Sequence, residues 1–311
     1  MNAAVRRRDL LRMAAAVALP LWRSSGRLAA QQPAATYRRL TDSLGVIDLG
    51  DSNVLCSTAD PRGLVLVDSG VRTSASQLTA ALRAVRQDAR VQAVFNTHYH
   101  ADQTGNNETV AATGAKIIAH EHTRQWMATD YWVPSENRYE KARAKAAWPT
   151  DTFRVTGSLN AGSEQIDYGH LPLAHTDGDI YIFFRDANVL AVGDVASPRR
   201  DPALDYFTGA WIGGRLDAMD AILKIANEQT RLVPAAGLPM TRADFKAERD
   251  TMEEVRSRVW KRVLKGDSPR EMLDGGVLTG VGRTWKDPYK FLYDAAQGMF
   301  AHHNKLDPSV I

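Results

Sequence analysis

The chain has 311 residues, 44% hydrophobic and 24% charged, a length and balance that suit a folded protein with a sizeable core and exclude a disordered, collagen-like or solenoid chain. The formal net charge of +3 misleads, because residues 1–30 carry six arginines against the single acid Asp9, while the remaining chain holds 33 basic and 35 acidic residues. The basicity therefore belongs to the leader and gives no reason to expect nucleic acid as a partner.

In the leader, Arg6-Arg7-Arg8-Asp9-Leu10-Leu11-Arg12 precedes an apolar run from Met13 to Trp22. That run is well short of the roughly 20 residues a bilayer span needs. A basic start, a short apolar stretch and then small residues describe a secretory signal over residues 1–30. The arginine pair ahead of Asp9-Leu10-Leu11 resembles a twin-arginine export signal. The expectation is a periplasmic or secreted protein with no stable membrane span once the leader is removed. A basic amphipathic N-terminal helix, or an anchor left uncleaved, is the plainer alternative. Cys56 is the only cysteine, so no internal disulfide and no zinc–thiolate cluster can form; it reads as a buried or half-buried structural thiol.

After a polar Gln/Pro/Ala linker near residues 31–36, strand-like and helix-like segments alternate. Residues 63–67 are a short apolar run closed by Asp68-Ser69-Gly70, a buried strand entering a turn. Residues 73–87 set Leu78, Leu82 and Val85 on one stripe and predict a helix. Residues 91–95 predict a buried strand that runs straight into Asn96-Thr97-His98. A short helix over 109–114 and a strand over 116–119 follow. Residues 123–150, rich in Trp, Tyr and charge, predict a helical insertion or flap. Residues 180–184 and 189–192 flank Arg185-Asp186-Ala187-Asn188 as a hairpin. A helix over 216–228, a last strand over 231–234 and helices over 241–265 and 288–302 complete an α/β pattern, with helices packed on sheets.

The sharpest chemical feature is His98-Tyr99-His100-Ala101-Asp102. Side chains two apart on an extended segment point the same way, so His98, His100 and Asp102 can converge just past a buried strand. Two imidazoles and a carboxylate suit a borderline-soft divalent ion such as zinc. Downstream, His175 lies in the polar turn Ala174-His175-Thr176-Asp177-Gly178-Asp179, and Asp194 follows Val192-Gly193 at the end of an apolar strand. Alone, Asp194 would be an ordinary turn residue. With three histidines on neighbouring strand ends it becomes a fourth candidate ligand, and the set satisfies tetrahedral zinc. His120 and His122 repeat the His-x-His spacing between a strand and a helix, where capping or surface roles are favoured. Tyr131, Trp132, Trp148, Phe207 and Trp211 are candidates for a substrate mouth or for plain packing. Arg199 and Arg200, in the loop after Asp194, are placed either to bind an anionic substrate or to face water.

Taken in order, Val65-Leu66-Val67-Asp68-Ser69-Gly70, the His98–Asp102 motif, the His175 turn and Val192-Gly193-Asp194 resemble the metallo-β-lactamase superfamily over roughly residues 45–245. The resemblance implies a four-layer αβ/βα sandwich over 37–245, with residues 246–311 as a C-terminal helical extension. It implies two metal sites. The first would use His98, His100 and His175 with Asp194 bridging. The second would use Asp102, the residue after it, Asp194 and a late histidine. Here the residue after Asp102 is Gln103, and the late turn reads Pro234-Ala235-Ala236-Gly237, so both departures strike the second site. The expectation is therefore one zinc ion and a hydrolase of a small ester, lactone, amide or thioester. Asp102 would act as general base or water-orienting group, with Asp68 and His170 supporting the ligands from behind. The alternative is a non-catalytic exported binding protein that retains the fold. Sequence names neither the substrate nor the oligomeric state.

Overall fold

The computed structural model describes residues 35–133 and 137–304. The leader over 1–30 therefore lies outside the described residues. In chain order the first strands are β1 (Thr36–Arg39), β2 (Leu44–Asp48), β3 (Asn53–Ser57) and β4 (Leu64–Val67), followed by helix α1 (Ala75–Val85) and β5 (Val91–Phe95). Two short helices, α2 (Ala101–Thr104) and α3 (Asn107–Ala111), lead to β6 (Lys116–His120) and α4 (Glu121–Ala128). A small hairpin, β7 (Tyr131–Val133) and β8 (Arg138–Glu140), precedes β9 (Asp151–Phe153). Then come β10 (Thr156–Ala161), β11 (Glu164–His170), β12 (Ile180–Phe184), β13 (Val189–Gly193), α5 (Ile212–Ile225) and β14 (Arg231–Pro234). Helices α6 (Arg242–Val263), α7 (Pro269–Asp274) and α8 (Pro288–Asn304) end the described chain.

Two mixed sheets result. One has seven strands in the order β1-β2-β3-β4-β5-β6-β9, and the other five in the order β10-β11-β12-β13-β14. Strand alternation distributes their side chains. Val65 and Val67 face Ile182, Phe184 and Val233 in the core between the sheets, whereas Leu64 and Leu66 face Leu78 and Leu82 of α1. On the far side, Leu190, Val192 and Leu232 pack against Ala218, Met219 and Ile222 of α5. Helix, sheet, sheet and helix make the four expected layers.

The C-terminal helices pack on α5 rather than standing apart. Leu216 of α5 shares a cluster with Met252, Val255 and Val259 of α6 and Leu292 and Met299 of α8. Helix α6 runs unbroken across residue 245, and its first turn is fixed by a capping box between Thr241 and Asp244. Within 123–150 the helical alternative of the sequence reading is corrected, while the flap alternative is not contradicted. Helix α4 ends at Ala128, and the aromatic, β-favouring Tyr131-Trp132-Val133 pairs with residues 138–140 as a hairpin instead of continuing a helix. No helix among the described residues is long and apolar enough to cross a membrane.

Candidate metal centre

The candidate ligands meet where the ends of the two sheets adjoin. Past β5, residues 96–97 carry the chain to His98, which is buried, and His100 occupies the N-cap of α2. His175 comes from the loop between β11 and β12. Asp179 folds that loop by accepting hydrogen bonds from the backbone N–H of His175 (2.5 Å) and Thr176 (2.8 Å) and from the Thr176 hydroxyl (2.9 Å). A backbone bond from Ile180 to the Thr97 carbonyl (3.0 Å) ties this loop's exit to the entry of the histidine motif. One ligand atom from each of His98, His100 and His175 lies within 4.8 Å of the other two.

The ring nitrogens pointing away from this centre fix what those pointing into it can be. The Thr97 hydroxyl donates to Asp68 Oδ2 (2.8 Å) and lies 3.0 Å from His98 Nδ1. Its single proton being used, it accepts from His98, so Nδ1 carries the hydrogen and Nε2 the lone pair. His100 Nε2 faces Asp205 Oδ2 at 3.3 Å, and His175 Nδ1 faces the Ala203 carbonyl at 2.9 Å. Both partners only accept, so His100 Nδ1 and His175 Nε2 are left as lone pairs, 3.0 Å apart. His98 Nε2 is buried with no hydrogen-bond partner. Three lone pairs crowded into a buried space repel one another unless a cation lies among them, and an outer acceptor on each ligating histidine is how metal sites fix the tautomer.

Burial drives His98 well below its ordinary pKa and His175 down to about 4, so both are neutral, as ligands must be. For His100, burial pulls the same way, but the bond to Asp205 and its charge outweigh it and raise the pKa, so that without an ion its Nδ1 can take up a proton and donate it to His175 Nε2; a metal ion would displace that proton. The residues present therefore fit a borderline divalent ion such as zinc.

Asp194 lies beside the group. Gly193, at the end of β13, has φ +55°, and a Cβ there would sit 2.9 Å from the Thr97 Cβ. The glycine thus lets Asp194 approach, with Oδ2 3.7 Å from His98 Nε2 and 3.9 Å from His175 Nε2. Asp68, buried at the end of β4, also accepts from the Thr97 backbone N–H (2.8 Å), so it acts on His98 through Thr97. His170 does not contact the three ligand rings. It bonds to the Asp177 carbonyl (2.8 Å) in the His175 loop and stacks on His120 with ring centroids 3.8 Å apart. His120 caps α4, accepting from the His122 backbone N–H.

Asp102 Oδ2 accepts from Gln103 Nε2 (3.1 Å) and from Arg200 Nη1 (2.8 Å). The same guanidinium reaches Asp194 with Nη2 (2.8 and 2.6 Å) and Nε (3.1 Å). Burial would raise the pKa of Asp102, but the charge of Arg200 prevails and lowers it. Arg200 thus meets neither sequence option as stated: half-buried, it pairs with two carboxylates of its own chain.

A cavity of about 330 Å³ opens beside His100, Asp102 and His175, with Tyr131 and Phe207 among its walls. Trp132 is exposed, Trp148 packs beside Tyr99 and Met127, and Trp211 stacks on His302. Sequence reasoning missed Thr97 and Asp205 as outer partners of the ligands. Thr97 adjoins the motif and could have been suspected, whereas Asp205, which also accepts from the Tyr99 hydroxyl (2.5 Å), carries no sequence signal.

Comparison with known proteins agrees with this geometry. Residues 48–257 match the family described as the metallo-beta-lactamase superfamily. Among solved structures, a metallo-beta-lactamase from Pontibacter korlensis superposes with a TM-score of 0.57 at 16% identity, covering 70% of this chain and 99% of that one. DIM-1 metallo-beta-lactamase gives 0.56 at 17% identity, over 71% of this chain and 98% of its own. The BLEG-1 B3 metallo-beta-lactamase gives 0.53 at 21% identity, over 62% and 90%. At such identities the structures testify to fold alone. No functionally curated protein matches the sequence. With well over half of its length matched to the family, the chain belongs to the metallo-β-lactamase superfamily.

Proposed function

We propose that this protein is an exported hydrolase that holds one zinc ion on His98, His100 and His175, with Asp194 beside it, and cleaves a small ester, lactone, amide or thioester. One observation carries the reading: three imidazole lone pairs converge within 4.8 Å because the far nitrogen of each ring is committed elsewhere. Zinc on such donors supplies Lewis acidity, polarising a carbonyl oxygen and drawing the pKa of water toward about 7.

The remaining work falls to the chain's own residues. Both hydrogen bonds to Asp102 fall on Oδ2, which leaves Oδ1 to accept a proton of the attacking water. Its lowered pKa makes Asp102 better at orienting that water than at removing its proton outright. Tyr131 and Phe207, stacked at 6.0 Å, give the cavity an apolar wall that displaces water from a small acyl group. Asp68 holds His98 through Thr97, and His170 steadies the loop that presents His175. The leader's arginine pair supports translocation of an already folded protein. This is tested in cell fractions, where wild type is expected outside the cytoplasm and the Arg7→Lys/Arg8→Lys protein is expected to be retained inside; a variant distributed like wild type refutes it.

Elemental analysis after dialysis tests the site, with about one zinc per chain expected and much less in His175→Ala, which also loses turnover. A protein that holds its ion yet cleaves no member of a broad panel of esters, lactones, amides and thioesters refutes the hydrolase. It then supports a non-catalytic exported binding protein, the reading favoured by the capture of Asp102 by Arg200.

A further inference from the structure

We infer that Arg200 is a built-in cation that replaces a second metal ion and holds the site to one, and that Arg283 is the residue that positions it. The inference rests on the one-ion site just proposed and explains its stoichiometry. A second ion would need Asp102, Asp194 and donors at positions 103 and 236. Both carboxylates are already taken by one guanidinium, whose three nitrogens are all engaged at 2.6–3.1 Å. The planar fork of an arginine suits this double capture, since it can pair with one carboxylate side-on and reach a second with the remaining nitrogen. Asp194 Oδ2 is at once 2.6 Å from Arg200 Nη2 and 3.7 Å from His98 Nε2. The carboxylate therefore lies between the histidine group and the guanidinium, as a bridge between two cations would. At position 103, the Gln103 amide is buried and turned to donate to Asp102, and position 236 offers only the buried methyl of Ala236.

The arginine is not on a free loop. Arg283 Nη2 donates to the carbonyls of Ser197 (3.0 Å) and of Arg200 itself (2.7 Å), while its guanidinium lies 5.0 Å over the Trp285 ring. The next residue, Asp201, accepts from the backbone N–H groups of Lys286 (2.9 Å) and Asp287 (2.7 Å). Glu248 of α6 accepts from the Ser197 N–H (2.7 Å), and the buried Arg215 of α5 donates to the Ser197 hydroxyl (2.9 Å). The loop that delivers Arg200 is thus gripped by α5, by α6 and by the segment before α8, none of which supplies a candidate metal ligand. Placing this cation is thus partly a task for the C-terminal extension, through α6 and the segment before α8.

The experiment restores the missing donors with and without the arginine and counts zinc per chain after equilibration with excess zinc and dialysis. Wild type and Gln103→His/Ala236→His, in which Arg200 remains, are each expected to hold about one ion. Adding Arg200→Met to that pair is expected to raise the count to about two. Adding Arg283→Ala instead is expected to yield an intermediate count. Two ions in wild type, or in Gln103→His/Ala236→His with Arg200 present, would overturn the inference. That arm keeps the ion pairs and so reads the question even if removing Arg200 prevents folding. One ion in a folded Arg200→Met/Gln103→His/Ala236→His protein overturns it equally. No ion in wild type is a different failure, because it strikes the three-histidine site itself.

Discussion

Asp205 offers the most direct measure of how far the outer partners of the ligands matter. Replacing it with asparagine keeps its size and an acceptor oxygen but removes the charge that faces His100 Nε2 at 3.3 Å and receives the Tyr99 hydroxyl at 2.5 Å. Loss of an outer partner on a ligating histidine typically costs about 10–100-fold in metal affinity, or about 1.4–2.8 kcal/mol at about 1.4 kcal/mol per tenfold. The His100 contact is longer than a strong charge-assisted bond, and Asp205 is shared with Tyr99, so the lower end, about tenfold, is expected. Tyr99→Phe removes the competing donor without touching His100 and should change affinity far less. The assay is competition for zinc against a chromogenic chelator, with urea unfolding of the zinc-free proteins run alongside to separate a loss of folding from a loss of the site. If Asp205→Asn binds zinc within about twofold of wild type, the claim that the charge of this carboxylate supports His100 as a ligand is wrong.

Three further outcomes are expected. Gly193→Ala pushes a methyl group against Thr97 and forces a non-glycine residue to φ +55°; it should cost about 1–3 kcal/mol in urea unfolding and weaken zinc binding, because the displaced neighbours, Thr97 and Asp194, both serve the site. Burial lifts the Cys56 thiol to about 12, so the native protein should resist a thiol-labelling reagent at neutral pH and label fully once unfolded; rapid labelling of native protein would contradict the buried position. Arg62, through its hydrogen bonds, holds Asp60 at about 2 against an ordinary 3.8. A carboxyl depressed on folding adds stability that is present above its unfolded value and lost as pH falls through the folded one. The gap in urea midpoint between wild type and Arg62→Ala should therefore narrow as pH drops from about 4 toward 2, and a gap independent of pH would disprove the ion pair.

Sequence revealed the elements whose patterns leave one interpretation. Val91–Phe95 apart from Gln92, Val189–Gly193, and Arg231–Pro234 past its exposed arginine are apolar because both faces are covered. The strands it missed include the buried Leu44–Asp48 and Asn53–Ser57, each short and interrupted by Gly45 or ended by polar residues, and others of mixed composition. Thr156–Ala161 alternates but carries Leu159 as its one large apolar residue, and Glu164–His170 carries Glu164 and His170 at its ends, so neither presents a hydrophobic face that stands out. The hairpin inside 123–150 was obscured by aromatic residues, which fit a helix face as readily as a pleated one. In the site, residue type and short spacing exposed His98, His100 and Asp102. The partners that decide their chemistry are remote: Arg200 is 98 positions from Asp102, and Tyr99 is 106 from Asp205. Such pairings are set by how two sheets and a helical extension dock, and no local pattern encodes them.

The exchange of a metal ion for an arginine, where it holds, alters what the site can do as well as what it binds. A guanidinium stays charged at every physiological pH and asks nothing of the metal supply, so the field that fixes Asp102 and Asp194 is permanent. It has no open coordination position, however, and can stabilise developing negative charge only through N–H groups that are already engaged with two carboxylates. Electrophilic power is thereby confined to the three-histidine position. Reactions that need two ions straddling attacking and leaving oxygens, such as phosphodiester cleavage, lie outside its reach, whereas acyl transfer to water, which one ion and one oriented proton acceptor can support, lies within it. A substrate panel weighted toward phosphodiesters should return nothing, and efficient phosphodiester turnover by wild-type protein would require a second cation that the Arg200 ion pairs leave no room to bind.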